Sequence, residues 1–97
     1  NSLKAIEIIG KEKFDIFIVD YYMPALNGIE ILEEIKEMYN KYPYVSILCL
    51  PTGTVHIFKE ELIEGLFDFF LEKPYENHTL KEIIKKAIVK LGRVKKH

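Results

Sequence analysis

The sequence predicts an α/β domain built on an open, doubly wound parallel sheet. Three observations predict it. Short runs of apolar, aromatic and β-branched residues occur at 14–19, 45–50 and 67–71. Segments whose apolar residues recur every three or four positions alternate with these runs. Each run closes on a polar residue, a proline or a glycine. Strands that alternate with helices imply parallel strands joined by crossovers.

The elements follow in order. Ser2 precedes Leu3, Ile6 and Ile9, with Gly10 beyond them, so a helix capped by Ser2 opens the chain. Phe14 to Val19, ending on Asp20, is almost wholly apolar and reads as a strand covered on both faces. Pro24 and Asn27-Gly28 mark the next stretch as a loop. Ile29, Leu32, Ile35 and Met38 or Tyr39 lie on one helical face, with Glu30, Glu33, Glu34, Lys36 and Glu37 on the other; Pro43 stops that helix. Val45 to Leu50 is a second buried strand, closed by Pro51-Thr52-Gly53-Thr54. A helix around Ile57 to Glu64 ends at Gly65, and Phe67 to Leu71 forms the third strand. After a turn at 72–75, Asn77 or Thr79 caps a last helix carrying Leu80, Ile83, Ile84, Ala87, Ile88 and Leu91.

Composition narrows the function. A 48 % apolar share with a net charge of -1 argues against disorder. Fourteen basic against fifteen acidic residues is not the balance of a nucleic-acid-binding domain, and the basic end at 93–97 reads as a solvated helix terminus. No apolar run reaches the roughly 20 residues of a membrane helix. The single cysteine, Cys49, cannot form an internal disulfide and fits a reducing, cytoplasmic compartment. It falls inside a strand and reads as a small core side chain, while His56 and His78 lie on separate elements and read as solvated. No internal repeat or linker divides the chain, so residues 1–97 are expected to form a single domain.

In open parallel sheets the working site lies beyond the C-terminal ends of the strands. Those ends carry Asp20, Pro51-Thr52 and Lys73. A carboxylate there can accept a phosphoryl group, an ammonium can neutralise phosphoryl oxygens, and a hydroxyl can donate to one of them. Magnesium, held by oxygen ligands, would complete such a set. No Gly-x-Gly-x-x-Gly and no Gly-Lys-Thr/Ser phosphate loop is present, which disfavours a nucleotide-binding enzyme.

The run Phe14 to Asp20, Tyr21-Tyr22-Met23-Pro24 and Asn27-Gly28-Ile29-Glu30, followed by Gly65, Asp68-Phe69 and Lys73-Pro74-Tyr75, resembles the receiver domain of two-component response regulators. The resemblance spans essentially the whole chain. It implies a flavodoxin-like fold, and a switch domain rather than an enzyme. It implies that Asp20 is the phosphoacceptor, that Lys73 contacts the acidic site and the phosphoryl group, and that the Tyr22 backbone carbonyl joins Asp20 as a magnesium ligand. It also implies a cis Lys73-Pro74 bond and loop-shaping roles for Pro24 and Gly28. The implied partner is a sensor histidine kinase or a phosphotransfer protein; the oligomeric state is left open, and an exposed sheet edge or the last helix–strand–helix face would favour self-association.

Three features depart from the family pattern. The family has a strand, a helix and a second strand before the segment matched by Asn1, and an acidic pair at the first of those strands helps hold magnesium. The sheet is therefore expected to be incomplete, with three strands and Phe14–Asp20 at an edge. A longer native chain, completion by a partner chain, and a true lack of the segment all fit; in the last case magnesium binding is weak or absent. The switch hydroxyl is expected directly after the second strand, where Pro51 stands; Thr52 is the candidate, with Thr54 second. The aromatic residue that couples to it on the last strand is Phe69 or Phe70. These departures motivate an alternative, a pseudo-receiver that binds a partner without being phosphorylated.

Overall fold

A computed structural model describes Glu7, residues 14–22 and residues 24–95. Strand β1 is Ile16–Asp20, helix α1 Gly28–Met38 and strand β2 Val45–Pro51. A 3-10 turn at Val55–Phe58 runs into the short helix α2, Lys59–Ile63, and strand β3, Phe69–Lys73, leads to helix α3, Asn77–Lys95. The expected first helix and its Ser2 cap lie outside the described residues, apart from Glu7, which is helical.

The sheet order is β1-β2-β3 and both pairings are parallel. Ile16 stands opposite Val45 and Asp20 opposite Cys49; Ile47 stands opposite Phe69 and Pro51 opposite Lys73. Each face of the sheet has its own core. Phe17, Val19, Leu48 and Leu50 pack with Ile31, Leu32 and Ile35 of α1, and with Phe58, Leu66 and Phe67. Val45, Ile47, Cys49 and Leu71 pack on Ala87 and Leu91 of α3. Helices on both faces make the sheet doubly wound, as the alternation of strands and helices predicts.

Strand β2 is central and buried from Val45 to Leu50, which is why its sequence is apolar apart from Ser46. β1 differs from expectation. Phe17 and Val19 are buried under α1, but Ile18, on the other face, is 48 % exposed. α3 packs over β2 and β3 and reaches only the Ile16 end of β1. Among the described residues β1 pairs with β2 alone and forms the expected edge.

The third strand starts two residues later than its apolar run suggests. Phe67 is buried under α1's side of the sheet, and Asp68 turns its carboxylate to the N–H of Ser46 at 2.8 Å while its own N–H donates to the Ser46 carbonyl at 3.0 Å. β3 then extends through Glu72 and Lys73, two residues assigned to the turn on sequence alone. The last helix begins at Asn77, so neither Asn77 nor Thr79 precedes it as a cap; the Glu76 carbonyl accepts from the N–H groups of Thr79 and Leu80. Ile88, read as part of its apolar face, is exposed.

α1 has the start its sequence encodes. The Asn27 side chain accepts from the Glu30 N–H at 2.9 Å, and the Glu30 carboxylate accepts from the Asn27 N–H at 3.0 Å. This reciprocal pair satisfies two of the N–H groups a helix start leaves without partners.

Candidate functional site

Asp20 ends β1 and Lys73 ends β3, on either side of β2. Across that gap of one strand the Lys73 ammonium forms an ion pair and hydrogen bond with Asp20 Oδ2. Both side chains remain partly exposed, so an incoming group can reach them. The hydrogen bond from Lys73 to Asp20 raises the lysine pKa above its ordinary value, and the ammonium stays charged at neutral pH. Asp20 Oδ1 accepts from the N–H of Tyr22 at 3.1 Å, which steers the carboxylate over the loop that follows β1.

That loop is held by backbone contacts. The Tyr21 N–H donates to the Cys49 carbonyl at 3.0 Å, extending the β1–β2 ladder by one residue. The Gly28 N–H donates to the Tyr21 carbonyl at 2.8 Å. A Cβ at Gly28 would stand 2.7 Å from Tyr21 Cα and 2.9 Å from the Asp20 carbonyl oxygen. Glycine is therefore required for α1 to start this close to the end of β1. Ala25 adopts φ 73°, with the Leu26 N–H donating to the Pro24 carbonyl at 2.9 Å, a tight three-residue turn of the strained hand. The Lys73-Pro74 bond is cis, as the resemblance implies.

The third expected member of the site stands apart. Thr52 Oγ1 donates to Glu72 Oε2 at 3.0 Å and the Thr52 N–H donates to the Lys73 backbone carbonyl at 3.0 Å; neither of these bonds reaches the Asp20 carboxylate or the Lys73 ammonium. Thr52 thus lies at the same sheet edge as Asp20 and Lys73, with its hydroxyl bonded to Glu72. Thr54, the second choice, donates from its hydroxyl to the Pro51 carbonyl at 2.7 Å and braces the loop. Glu72 was missed by the sequence reading. Its carboxylate also accepts from the Gly53 N–H at 2.9 Å, and this bond, with the Thr52 hydroxyl second, lowers its pKa below the ordinary glutamate value. Strand alternation counted back from Lys73 is the signal that could have found it.

The remaining residues behave as core or surface. Cys49 is 4 % exposed and burial pushes its thiol pKa up, with the Asp20 charge adding to the rise, so it stays protonated. His56 is exposed, and His78 is exposed beside Glu76 at 3.2 Å. Phe69 packs with the α3-side core and Phe70 against the α1-side core.

Magnesium prefers a near-octahedral shell of oxygens with several waters. The donors expected from this chain are the Asp20 carboxylate and the Tyr22 carbonyl. Among the described residues no group of three or more His, Cys, Asp or Glu side chains could hold a metal ion, and both Asp20 oxygens already accept hydrogen bonds. Asp20 and Tyr22 would supply one carboxylate and one carbonyl, leaving the rest of the shell to water or other oxygens.

Residues 1–85 match the family model of the response regulator receiver domain. The chain is 33 % identical over 82 residues to the hybrid signal transduction histidine kinase A of Dictyostelium discoideum, covering 82 % of this chain and 4 % of that protein. It is 28 % identical over 88 residues to the sporulation initiation phosphotransferase F of Bacillus subtilis, covering 91 % of this chain and 68 % of that protein. An adenylate cyclase structure from Rhodopirellula baltica superposes with a TM-score of 0.88 at 23 % identity, over 99 % of this chain and 70 % of that one. That last likeness speaks for the α/β fold. The chain thus spans only a small part of the hybrid kinase it matches.

Proposed function

Because this chain belongs to the response regulator receiver domain family, we propose that it works as the phosphoacceptor of a two-component signalling system, with Asp20 as the acceptor. The observation that carries the reading is the Asp20–Lys73 pair. It unites a partly exposed carboxylate and a cation from the C-terminal ends of two strands, 53 residues apart in sequence.

The chemistry is a displacement at phosphorus. An Asp20 carboxylate oxygen attacks the phosphorus of a phosphohistidine on a kinase or phosphotransfer protein. A P–O bond forms, the P–N bond breaks, and the imidazole nitrogen keeps the electron pair and is reprotonated from solvent. The product is an aspartyl phosphate and a free histidine. Lys73 begins hydrogen-bonded to the carboxylate and passes to a phosphoryl oxygen as negative charge moves there. The chain is the acceptor in this exchange. The reading places it in the cytoplasm, as one receiver unit over 1–97.

Intact-mass measurement after incubation with acetyl phosphate, with and without magnesium chloride, tests this. In that reaction Asp20 attacks phosphorus and acetate leaves with the bonding electrons. One phosphoryl adduct on the parent chain, absent from Asp20→Asn, is the expected result. An adduct retained in Asp20→Asn would sink the assignment.

A second reading has its own support: Thr52 bonds to Glu72 and the described residues lack a metal-binding cluster. These observations favour a pseudo-receiver that binds a partner without phosphorylation. It predicts no adduct on either chain and partner affinity unchanged by Asp20→Asn.

A further inference from the structure

Successive residues of a strand point to opposite faces of the sheet. On β2, Cys49 packs in the α3-side core and Leu50 in the α1-side core. Continued along the strand, the alternation assigns Pro51 to the α3 side and Thr52 to the α1 side. On β3, Leu71 belongs to the α3 side and Phe70 to the α1 side, which assigns Glu72 to the α1 side and Lys73 to the α3 side. On β1, Val19 belongs to the α1 side and Asp20 to the other. Two contacts agree with this count: Lys73 meets Asp20, and Thr52 meets Glu72. The hydroxyl therefore starts on the face opposite the phosphoacceptor.

Two hydrogen bonds keep it there. Glu72 Oε2 accepts the Thr52 hydroxyl at 3.0 Å and the Gly53 N–H at 2.9 Å. Gly53 has φ 78°, a conformation glycine adopts without penalty, and its N–H turns toward β3 rather than into a ladder. The Thr52 N–H bonds to the Lys73 carbonyl, so the loop is fastened to β3 beside the site's ammonium. A phosphoryl group on Asp20 is a second anion within the same strand-end cluster, with the same need for hydrogen-bond donors.

We infer that Glu72 is a positioning residue which restrains the Thr52–Gly53 loop, and that a phosphoryl group on Asp20 competes with the Glu72 carboxylate for the Thr52 hydroxyl and the Gly53 N–H. The inference rests on the phosphoacceptor reading of Asp20. Glu72 never touches the transferred group. It biases the loop toward the unphosphorylated arrangement, so its removal favours the phosphorylated one.

The test compares initial rates of Asp20-dependent labelling by acetyl phosphate, with magnesium chloride present, in the parent chain, Glu72→Ala, Glu72→Gln, Thr52→Val and the Thr52→Val/Glu72→Ala double variant. Exposed charged contacts are weak, which sets the expected gain in Glu72→Ala at about two- to five-fold. Glu72→Gln keeps an acceptor oxygen and falls between. In the Thr52→Val background the gain shrinks, because the two residues act through one contact. The Gly53 amide proton moves upfield in Glu72→Ala. Equal rates in the parent and Glu72→Ala overturn the role of Glu72 and leave the phosphoacceptor reading standing. A gain undiminished by Thr52→Val overturns it as well, as does a Gly53 resonance that ignores Glu72. No Asp20-dependent adduct in any variant overturns the phosphoacceptor reading itself and the inference with it.

Discussion

Ser46 and Asp68 exchange hydrogen bonds at the N-terminal end of the β2–β3 pairing: the Ser46 N–H donates to Asp68 Oδ2 at 2.8 Å, and the Asp68 N–H donates to the Ser46 carbonyl at 3.0 Å. Ser46 is fully buried, so its N–H has no water to fall back on. The Lys90 ammonium, 2.6 Å from Asp68 Oδ1, closes the arrangement from α3. A side chain here replaces a backbone carbonyl, and this sets where β3 begins.

Asp68→Ala is expected to cost about 1–3 kcal/mol of stability, the penalty of leaving a buried N–H without an acceptor. Asp68→Asn keeps an acceptor oxygen and is expected to lose less. Urea unfolding followed by circular dichroism measures both. Equal losses in the two variants would mean that the charge toward Lys90, not the bond to Ser46, dominates.

Gly28→Ala is expected to destabilise by about 1–3 kcal/mol, because the new Cβ meets backbone atoms of Asp20 and Tyr21 that cannot turn aside. Gly92 is the internal control. It lies inside α3 with nothing within 4 Å of a built Cβ, so Gly92→Ala is expected to stabilise by about 0.5–1 kcal/mol. Thermal melts of the two single variants should move in opposite directions.

The Glu72 carboxyl carries a pH signature. Its pKa is lowered by the Gly53 N–H and then by the Thr52 hydroxyl. A depressed folded-state value means the contact's contribution is complete above the unfolded-state pKa, about 4.3, and is lost as pH falls through the lower folded value. The Gly53 amide shift, followed by NMR as pH is lowered, should therefore titrate with a midpoint below that of an ordinary glutamate. A midpoint at or above it would contradict the bond.

Much of this was legible in the residues. β2 was legible because a central strand covered on both faces calls for apolar side chains, and Val45 to Leu50 supplies them at every position but Ser46. The Asn27–Glu30 capping box is local chemistry and yields to local reading, although sequence alone marked Asn27 only as a turn residue. Asp20 could be placed at the end of its strand by counting, whereas Lys73 was assigned to the turn beyond Leu71 and is the last residue of β3. The start of β3 was not legible, because Phe67 is as apolar as a strand residue and the partner that ends its ladder, Ser46, lies 22 positions away. The hydroxyl partner of Thr52 was not legible for a related reason. A one-residue displacement at a strand end changes the face a side chain serves, and only the observed extension of β2 through Pro51 fixes that parity. The exposure of Ile18 escaped too, since an apolar run does not say what covers it.

The parallel pairing of β1, β2 and β3 bears on how the chain acquires its structure. Among the described residues no two strands are joined by a hairpin: Ile16 meets Val45, and Ile47 meets Phe69, each only after an intervening helical segment has folded back. The ladders therefore cannot zip from a turn. Bringing such distant residues together carries a loop-closure entropy before any sheet contact offsets it. α1, with its self-contained cap, is the element best equipped to persist early and to offer Ile31, Leu32 and Ile35 as the surface on which the first two strands meet. Weakening that cap should accordingly slow refolding more than it speeds unfolding, a kinetic mark of an ordering in which the helix comes before the sheet.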